Sequence, residues 1–304
     1  MRTTGQTTVR ISKRLHGVLT ALATPFNKGH VDESCLREFI NWQLSQGVHG
    51  VVPCGTTGES ATLDHEEHEA VIRICVEEVK GRVPVIAGAG SNSTVETIRL
   101  TNFVKQAGAD AALIITPYYN RPTQEGLYQH FKAVAEATHF PFIAYNVPAR
   151  TGCNLLPETV VRMTRDIPEF VALKEATGSM TQASDTIEKS DPNLIMLSGD
   201  DSVFLPLLAL GATGIISVTS NVAPSLVVSL YEAWTRGDRE TARQLHYKLS
   251  PLNRALFLET NPIPTKMALS LIGKMQGDLR LPLWQLSPQN ENTLRGVLNE
   301  TGLL

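Results

Sequence analysis

Eight apolar runs, fairly evenly spaced and separated by segments of helical period, limit what this chain can fold into. They are Val18–Phe26, Gly50–Pro53, Val83–Ala87, Ala111–Thr116, Pro141–Val147, Phe170–Leu173, Leu194–Leu197 and Gly214–Val218. Their apolar residues are nearly continuous, the pattern of strands buried on both faces. After the first run, Leu36, Phe39, Ile40 and Leu44 fall on one helical face. Asp64 with Glu67, and Ser93 with Glu96, have capping-box spacing ahead of later helices, and Gly47, Gly81 and Gly108 stand where helices end. Strict alternation implies parallel strands joined by right-handed crossovers. Eight such units reach about residue 235, close to the ~250 residues of a typical barrel. The expected fold is therefore α/β, a (β/α)8 TIM barrel over residues 17–237. Residues 238–304, with three helical stretches and no convincing strand, are expected to form a C-terminal helical appendage. An open doubly wound sheet is the competing architecture, but Gly88-Ala-Gly90-Ser-Asn-Ser93 lacks the third glycine of its fingerprint.

Bulk properties narrow the function. The net charge is −3 and no basic stripe is present, which argues against nucleic acid or acidic membrane surfaces as partners. No apolar run approaches the ~20 residues of a membrane helix. Cys35, Cys54, Cys75 and Cys153 have no metal-type spacing, so free thiols in a reducing cytoplasm are expected. The first thirty residues have no acidic side chain and include Arg2, Arg10, Lys13 and Arg14. That composition is like a transit peptide's, but the stretch before the first strand is short and lacks an apolar centre. Residues 1–16 are expected to be a frayed basic arm.

In a (β/α)8 barrel the active site lies at the C-terminal ends of the strands. There the second run leads into Gly55-Thr56-Thr57-Gly58-Glu59-Ser60, the fourth into Pro117-Tyr118-Tyr119-Asn120, the fifth into Asn146-Val147-Pro148-Ala149-Arg150, the sixth into Lys174-Glu175, and the seventh into Gly199-Asp200-Asp201. Of the ten lysines, Lys174 alone continues an apolar strand. An ammonium held in a barrel mouth is desolvated, which lowers its pKa, and a neutral amine attacks a carbonyl to form an imine. The competing reading is a solvated lysine paired with Glu175. Alternation with Ala172 and Ala176 points Lys174 inward instead. Tyr145, Tyr119, Thr56 and Thr57 are read either as rim residues or as a hydroxyl chain that moves protons at an imine carbon. The glycines of Gly55–Ser60 make a tight turn that also lets backbone N–H groups approach a carboxylate. It is no Walker loop.

With these residues assembled, the chain resembles the pyruvate-dependent class I aldolase family of dihydrodipicolinate synthase and N-acetylneuraminate lyase, from about Gly17 to the C-terminus. The motifs are Gly55-Thr-Thr-Gly-Glu-Ser60, Thr116-Pro-Tyr-Tyr-Asn-Arg-Pro122, Tyr145-Asn-Val-Pro-Ala-Arg-Thr-Gly152, Leu173-Lys-Glu-Ala-Thr-Gly178, Leu197-Ser-Gly-Asp-Asp201 and Gly214-Ile-Ile-Ser-Val-Thr219. The resemblance implies a Schiff-base lyase with Lys174 as the imine-forming lysine and Tyr145 as the proton donor and acceptor. It makes Thr56 and Tyr119 relay partners, Tyr119 reaching across a dimer interface. Thr57 and Ile216 would hold pyruvate, Gly199 would be a substrate-binding residue, and Arg150 would bind the carboxylate of aspartate semialdehyde. Ser60, Ala61, His65, His68, Asn92, Glu96 and Tyr118 match a pocket where some members bind lysine as a feedback inhibitor. His65 and His68 have no third ligand at suitable spacing for a metal site; the resemblance implies neither metal nor cofactor, because the protonated imine is the electron sink. The resemblance also implies a cytoplasmic homotetramer, a dimer of dimers, in lysine and diaminopimelate biosynthesis. A related aldolase acting on a 2-keto sugar acid, or a non-catalytic ligand-binding barrel, are the other readings. Relatives acting on sugar acids generally lack the arginine matched by Arg150.

Overall fold

The computed structural model describes residues 11–304. Eight parallel strands form one sheet that closes nearly into a barrel with helices around it, a TIM barrel. In chain order the strands are β1 (Gly17–Ala21), the two-residue β2 (Phe26–Asn27) and β3 (His30–Val31), β4 (Gly50–Val52), β5 (Ile86–Gly88), β6 (Ala111–Ile115), β7 (Phe142–Asn146), β8 (Phe170–Glu175), β9 (Ile195–Ser198) and β10 (Gly214–Ser217). The sheet runs β4-β1-β10-β9-β8-β7-β6-β5, while β2 and β3 make a separate antiparallel pair. Each of the eight expected runs overlaps one barrel strand, with β1, β5 and β9 each reaching one residue beyond its run, but the first run is split. β1 ends at Ala21, and Phe26 belongs to the small hairpin. The sixth is longer than expected, because Lys174 and Glu175 remain in the ladder of β8.

By internal contacts the chain divides into two compact units. One comprises Pro84–Ile215 with the stretch ending at His16, the other Gly17–Val83 with Ile216–Leu304. In the first unit, the rings of Phe131, Phe142 and Phe170 stack with successive centroids 5.7 Å apart. They seat the helix Gln124–Thr138 against β7 and β8. The expected frayed arm is corrected over residues 11–16; residues 1–10 lie outside the described part. Ile11 and Leu15 are buried, Arg14 pairs with Asp110 at 2.9 Å, and the Leu15 carbonyl accepts from Thr213 Oγ1 at 3.0 Å. Two apolar side chains four residues apart have enough surface to dock this stretch.

In the second unit, the helix Glu33–Ser45 buries Leu36, Phe39 and Ile40 as its period requires, but its fourth buried residue is Gln43, not Leu44. Gln43 accepts from Thr20 Oγ1 and donates to the carbonyls of Ser220 and Asn221. Its burial is tolerated because its amide is satisfied. Asp64 and Glu67 form a complete capping box. Ser93 caps its helix, but the Glu96 carboxylate accepts from Ser91 Oγ instead of closing the box. The C-terminal region folds into three helices, Arg239–Ala255, Ile263–Leu271 and Pro288–Thr301.

Candidate active site

A change of register places the central lysine. Along β7 and β8, Phe142 pairs with Phe170 but Ile143 pairs with Ala172, so β8 carries one extra residue. A bulge moves every later residue to the other face. Without it Tyr145 would lie opposite Leu173; with it Tyr145 lies opposite Lys174. The two side chains therefore share a face, and Lys174 Nζ sits 4.1 Å from the Tyr145 ring centroid.

Lys174 is 6% exposed and Tyr145 is 7% exposed. Burial pulls the Lys174 pKa from its ordinary 10.5 down to about 7, Asp201 raises it, and the positive charge of Arg150 lowers it further. A lysine in this state is part neutral at neutral pH, as an imine-forming nucleophile must be. Gly199 makes room for it. A Cβ there would stand 2.7 Å from Ala176 Cβ and 3.2 Å from Lys174 Cε, so any side chain at 199 would press on the lysine. The Gly199 N–H also donates to the Glu175 carbonyl at 2.7 Å, holding that approach. The neighbouring Glu175 carboxylate turns away from the lysine. It accepts from the Thr177 backbone N–H at 2.7 Å and from Asn146 Nδ2 at 3.4 Å, and burial pushes its pKa up. The expected alternative, Lys174 paired with Glu175, is thereby excluded. The acid whose charge acts on the lysine is Asp201, buried just past β9.

Two other candidates of this unit are exposed. Arg150 lies in the short helix Pro148–Thr151 after β7. Tyr119 is 89% exposed and has a φ of 74°, a left-handed conformation rarely adopted by a residue with a side chain. Its N–H donates to the Thr151 carbonyl at 3.3 Å. Nearby, Asn120 joins two of the residues matched to the lysine pocket. Its Nδ2 donates to the Asn92 carbonyl and its backbone N–H to the Tyr118 carbonyl, both at 2.9 Å. Glu96 is held by Ser91 as described.

In the second unit the Gly55–Ser60 turn follows β4. Backbone bonds from Gly58 and Ser60 to the Gly55 carbonyl, and from Glu59 to the Thr56 carbonyl, close it. Thr57 is 2% exposed, and its Oγ1 accepts from Asn261 Nδ2 at 2.9 Å. Thr56 is half-buried. Glu59 adopts a left-handed φ of 53°, and its carboxylate is buried. Lys266 Nζ reaches one oxygen at 2.7 Å and the Arg280 backbone N–H the other at 3.1 Å. The Arg280 guanidinium donates to the Thr62 carbonyl at 2.8 Å and to both oxygens of Glu67. Ser60, Ala61 and His65 sit in or just after this turn; Ala61 and His65 are exposed, and His68 is buried one turn into the helix His65–Val79. Ile216 is fully buried in β10. Asn261, Lys266 and Arg280 went unremarked in the sequence. The available signal was a lysine inside an otherwise apolar segment, Ile263-Pro-Thr-Lys-Met-Ala-Leu269.

The four cysteines are free thiols, Cys54 and Cys75 buried, Cys35 and Cys153 half-buried. Among the described residues no helix is long and apolar enough to cross a membrane.

A family model described as the dihydrodipicolinate synthetase family matches residues 14–301. The 4-hydroxy-tetrahydrodipicolinate synthase of Nitratidesulfovibrio vulgaris is 58% identical over 291 residues, covering 96% of this chain and 100% of that protein. Among solved structures, the dihydrodipicolinate synthase of Thermotoga maritima has a TM-score of 0.94 at 44% identity, covering 95% of this chain and 99% of its own. The synthase of Cyanidioschyzon merolae, solved with lysine bound, has a TM-score of 0.93 at 39% identity, covering 96% of this chain and 99% of its own. With a family match over nearly the whole length and a buried lysine at the end of β8, this chain belongs to the dihydrodipicolinate synthetase family.

Proposed function

We propose that this chain catalyses the 4-hydroxy-tetrahydrodipicolinate synthase reaction, the Schiff-base condensation of pyruvate with L-aspartate 4-semialdehyde. The observation that carries the reading is Lys174, buried opposite Tyr145 with its pKa drawn down to about 7. The neutral amine attacks the keto carbon of pyruvate and water leaves, giving a protonated imine. That imine is the electron sink: loss of a methyl proton forms the enamine, whose carbon attacks the aldehyde of the second substrate. The substrate's own amine then displaces Lys174 and closes the ring. Tyr145 is assigned the proton transfers at the imine, with Thr56 and Tyr119 as its relay. Thr57 and Ile216 are assigned to pyruvate, and Gly199 to substrate binding. A residue as exposed as Tyr119 is available to a second copy of the chain, which fits the assignment of a homotetramer built as a dimer of dimers. The biosynthetic route is that of lysine and diaminopimelate, in the cytoplasm.

A coupled assay tests the reading: turnover with pyruvate plus aspartate semialdehyde is expected, and none with N-acetylneuraminate. The reverse result would move the chain to the sugar-acid branch. Arg150 is the discriminating residue, since its planar fork of donors suits a carboxylate. Arg150→Ala should lower kcat/KM for aspartate semialdehyde by roughly 10–100-fold, the scale of one lost charged hydrogen bond. Trapping of pyruvate at alkaline pH should survive. The profile of that trapping should move to higher pH, because Arg150 is one of the groups holding the Lys174 pKa down. Loss of trapping at all pH values would contradict the assignment.

We assign Ser60, Ala61, His65, His68, Asn92, Glu96 and Tyr118 to a lysine effector site. Isothermal titration of the wild-type protein with L-lysine should give saturable heat; a flat titration removes this assignment.

A further inference from the structure

We infer that Asn261, in the C-terminal region, is a positioning residue that turns Thr57 into an obligate hydrogen-bond donor toward the keto acid. The inference rests on the reading that Thr57 contacts pyruvate. Three buried side chains line up. Thr265 Oγ1 donates to Asn261 Oδ1 at 2.9 Å, and Asn261 Nδ2 donates to Thr57 Oγ1 at 2.9 Å. Their exposures are 0%, 3% and 2%, so water is no competitor for these bonds. A hydroxyl has one proton to give and lone pairs to receive. With an amide N–H already directed at its oxygen, Thr57 keeps its own proton for a different acceptor. A substrate carboxylate is acceptor-only and takes such a proton well.

The turn that carries Thr57 is also pinned two residues later. Glu59 is fixed by Lys266 and by the Arg280 backbone, and a Cβ at Gly58 would approach the Leu22 carbonyl oxygen at 3.0 Å. The Thr57 backbone therefore has little freedom to compensate for a wrong hydroxyl orientation. Direction matters as much as presence: an acceptor at position 261 would draw the Thr57 proton away from the substrate.

The test is pyruvate titration of borohydride trapping in the full-length protein, read as the concentration giving half-maximal labelling. Asn261→Asp replaces the donor by an isosteric acceptor and should raise that concentration at least ~10-fold, with Asn261→Ala raising it less. KM for aspartate semialdehyde should stay within about twofold. Thr57→Val should match the Asp variant, and adding Asn261→Asp to Thr57→Val should cost nothing more, because the two act through one hydroxyl. If Asn261→Asp fails to fold, Asn261→Ala in the Thr57→Val background gives the same comparison. Wild-type pyruvate dependence in Asn261→Asp, or additive losses in the double variant, overturns the inference. Absence of labelling in the wild-type protein would instead defeat the proposed function itself.

Discussion

Lys174→Ala is expected to lower turnover by at least about ten-thousand-fold, the scale of losing a covalent nucleophile, and to abolish labelling by pyruvate with borohydride. This loss should come without a loss of fold. The Lys174 pKa is about 7 in the folded chain against an ordinary 10.5. Between those two values the unfolded chain holds more protons than the folded one, so stability rises with pH across that window. Below about pH 7 the full cost of the buried ammonium is present. Lys174→Met, which fills similar space without the charge, should therefore raise Tm at pH 6–7, with the gain shrinking as pH approaches 10.5. An inactive variant more stable than its parent would separate chemistry from folding. A destabilised Met variant would show that other contacts compensate the buried ammonium.

Lys266→Met is the change with the largest expected effect on stability. Lys266 is fully buried against Glu59, with side-chain exposures of 0% and 1%, and its ammonium lies over the Phe26 ring at 4.0 Å. Burial lowers the Lys266 pKa even though the Glu59 charge works to raise it. Desolvation thus takes back much of what the pair gains, and such a pair is a poor source of net stability. Breaking it is another matter. Glu59 would remain buried with the Arg280 backbone N–H and the more remote charge of that residue's guanidinium, but without its direct ion-pair partner, at a cost of about 3–5 kcal/mol. Urea denaturation should show that loss in Lys266→Met, and Glu59→Gln combined with Lys266→Met should recover most of it. A single variant as stable as wild type would mean that water or another group already neutralises Glu59.

The sequence carried the barrel because a strand buried on both faces must be apolar along its length, and all eight runs have that composition. Lys174 was legible for the same reason: a charge continuing an apolar strand conflicts with its surroundings. Residues whose meaning depends on distant partners were not legible. Gln43 and Lys266 have no role that the sequence assigns until the structure supplies Thr20 and Glu59. In sequence Lys266 lies 207 positions from Glu59, and no local periodicity encodes that pairing. The bulge between β7 and β8 was equally invisible, since one extra residue leaves the run apolar. Residues 238–304 form the expected helical region, and that region also bears on the site. Asn261, Lys266 and Arg280 hold the turn after β4, so within their unit this region shapes the candidate site.

The most direct measurement is the mass and position of the adduct left when pyruvate and borohydride meet the wild-type protein over a range of pH. One reduced pyruvyl group per chain on the peptide containing Lys174 is expected, forming about tenfold more slowly for each pH unit below about 7. An unchanged mass, or a label that maps to another lysine, would contradict a neutral Lys174 amine as the nucleophile.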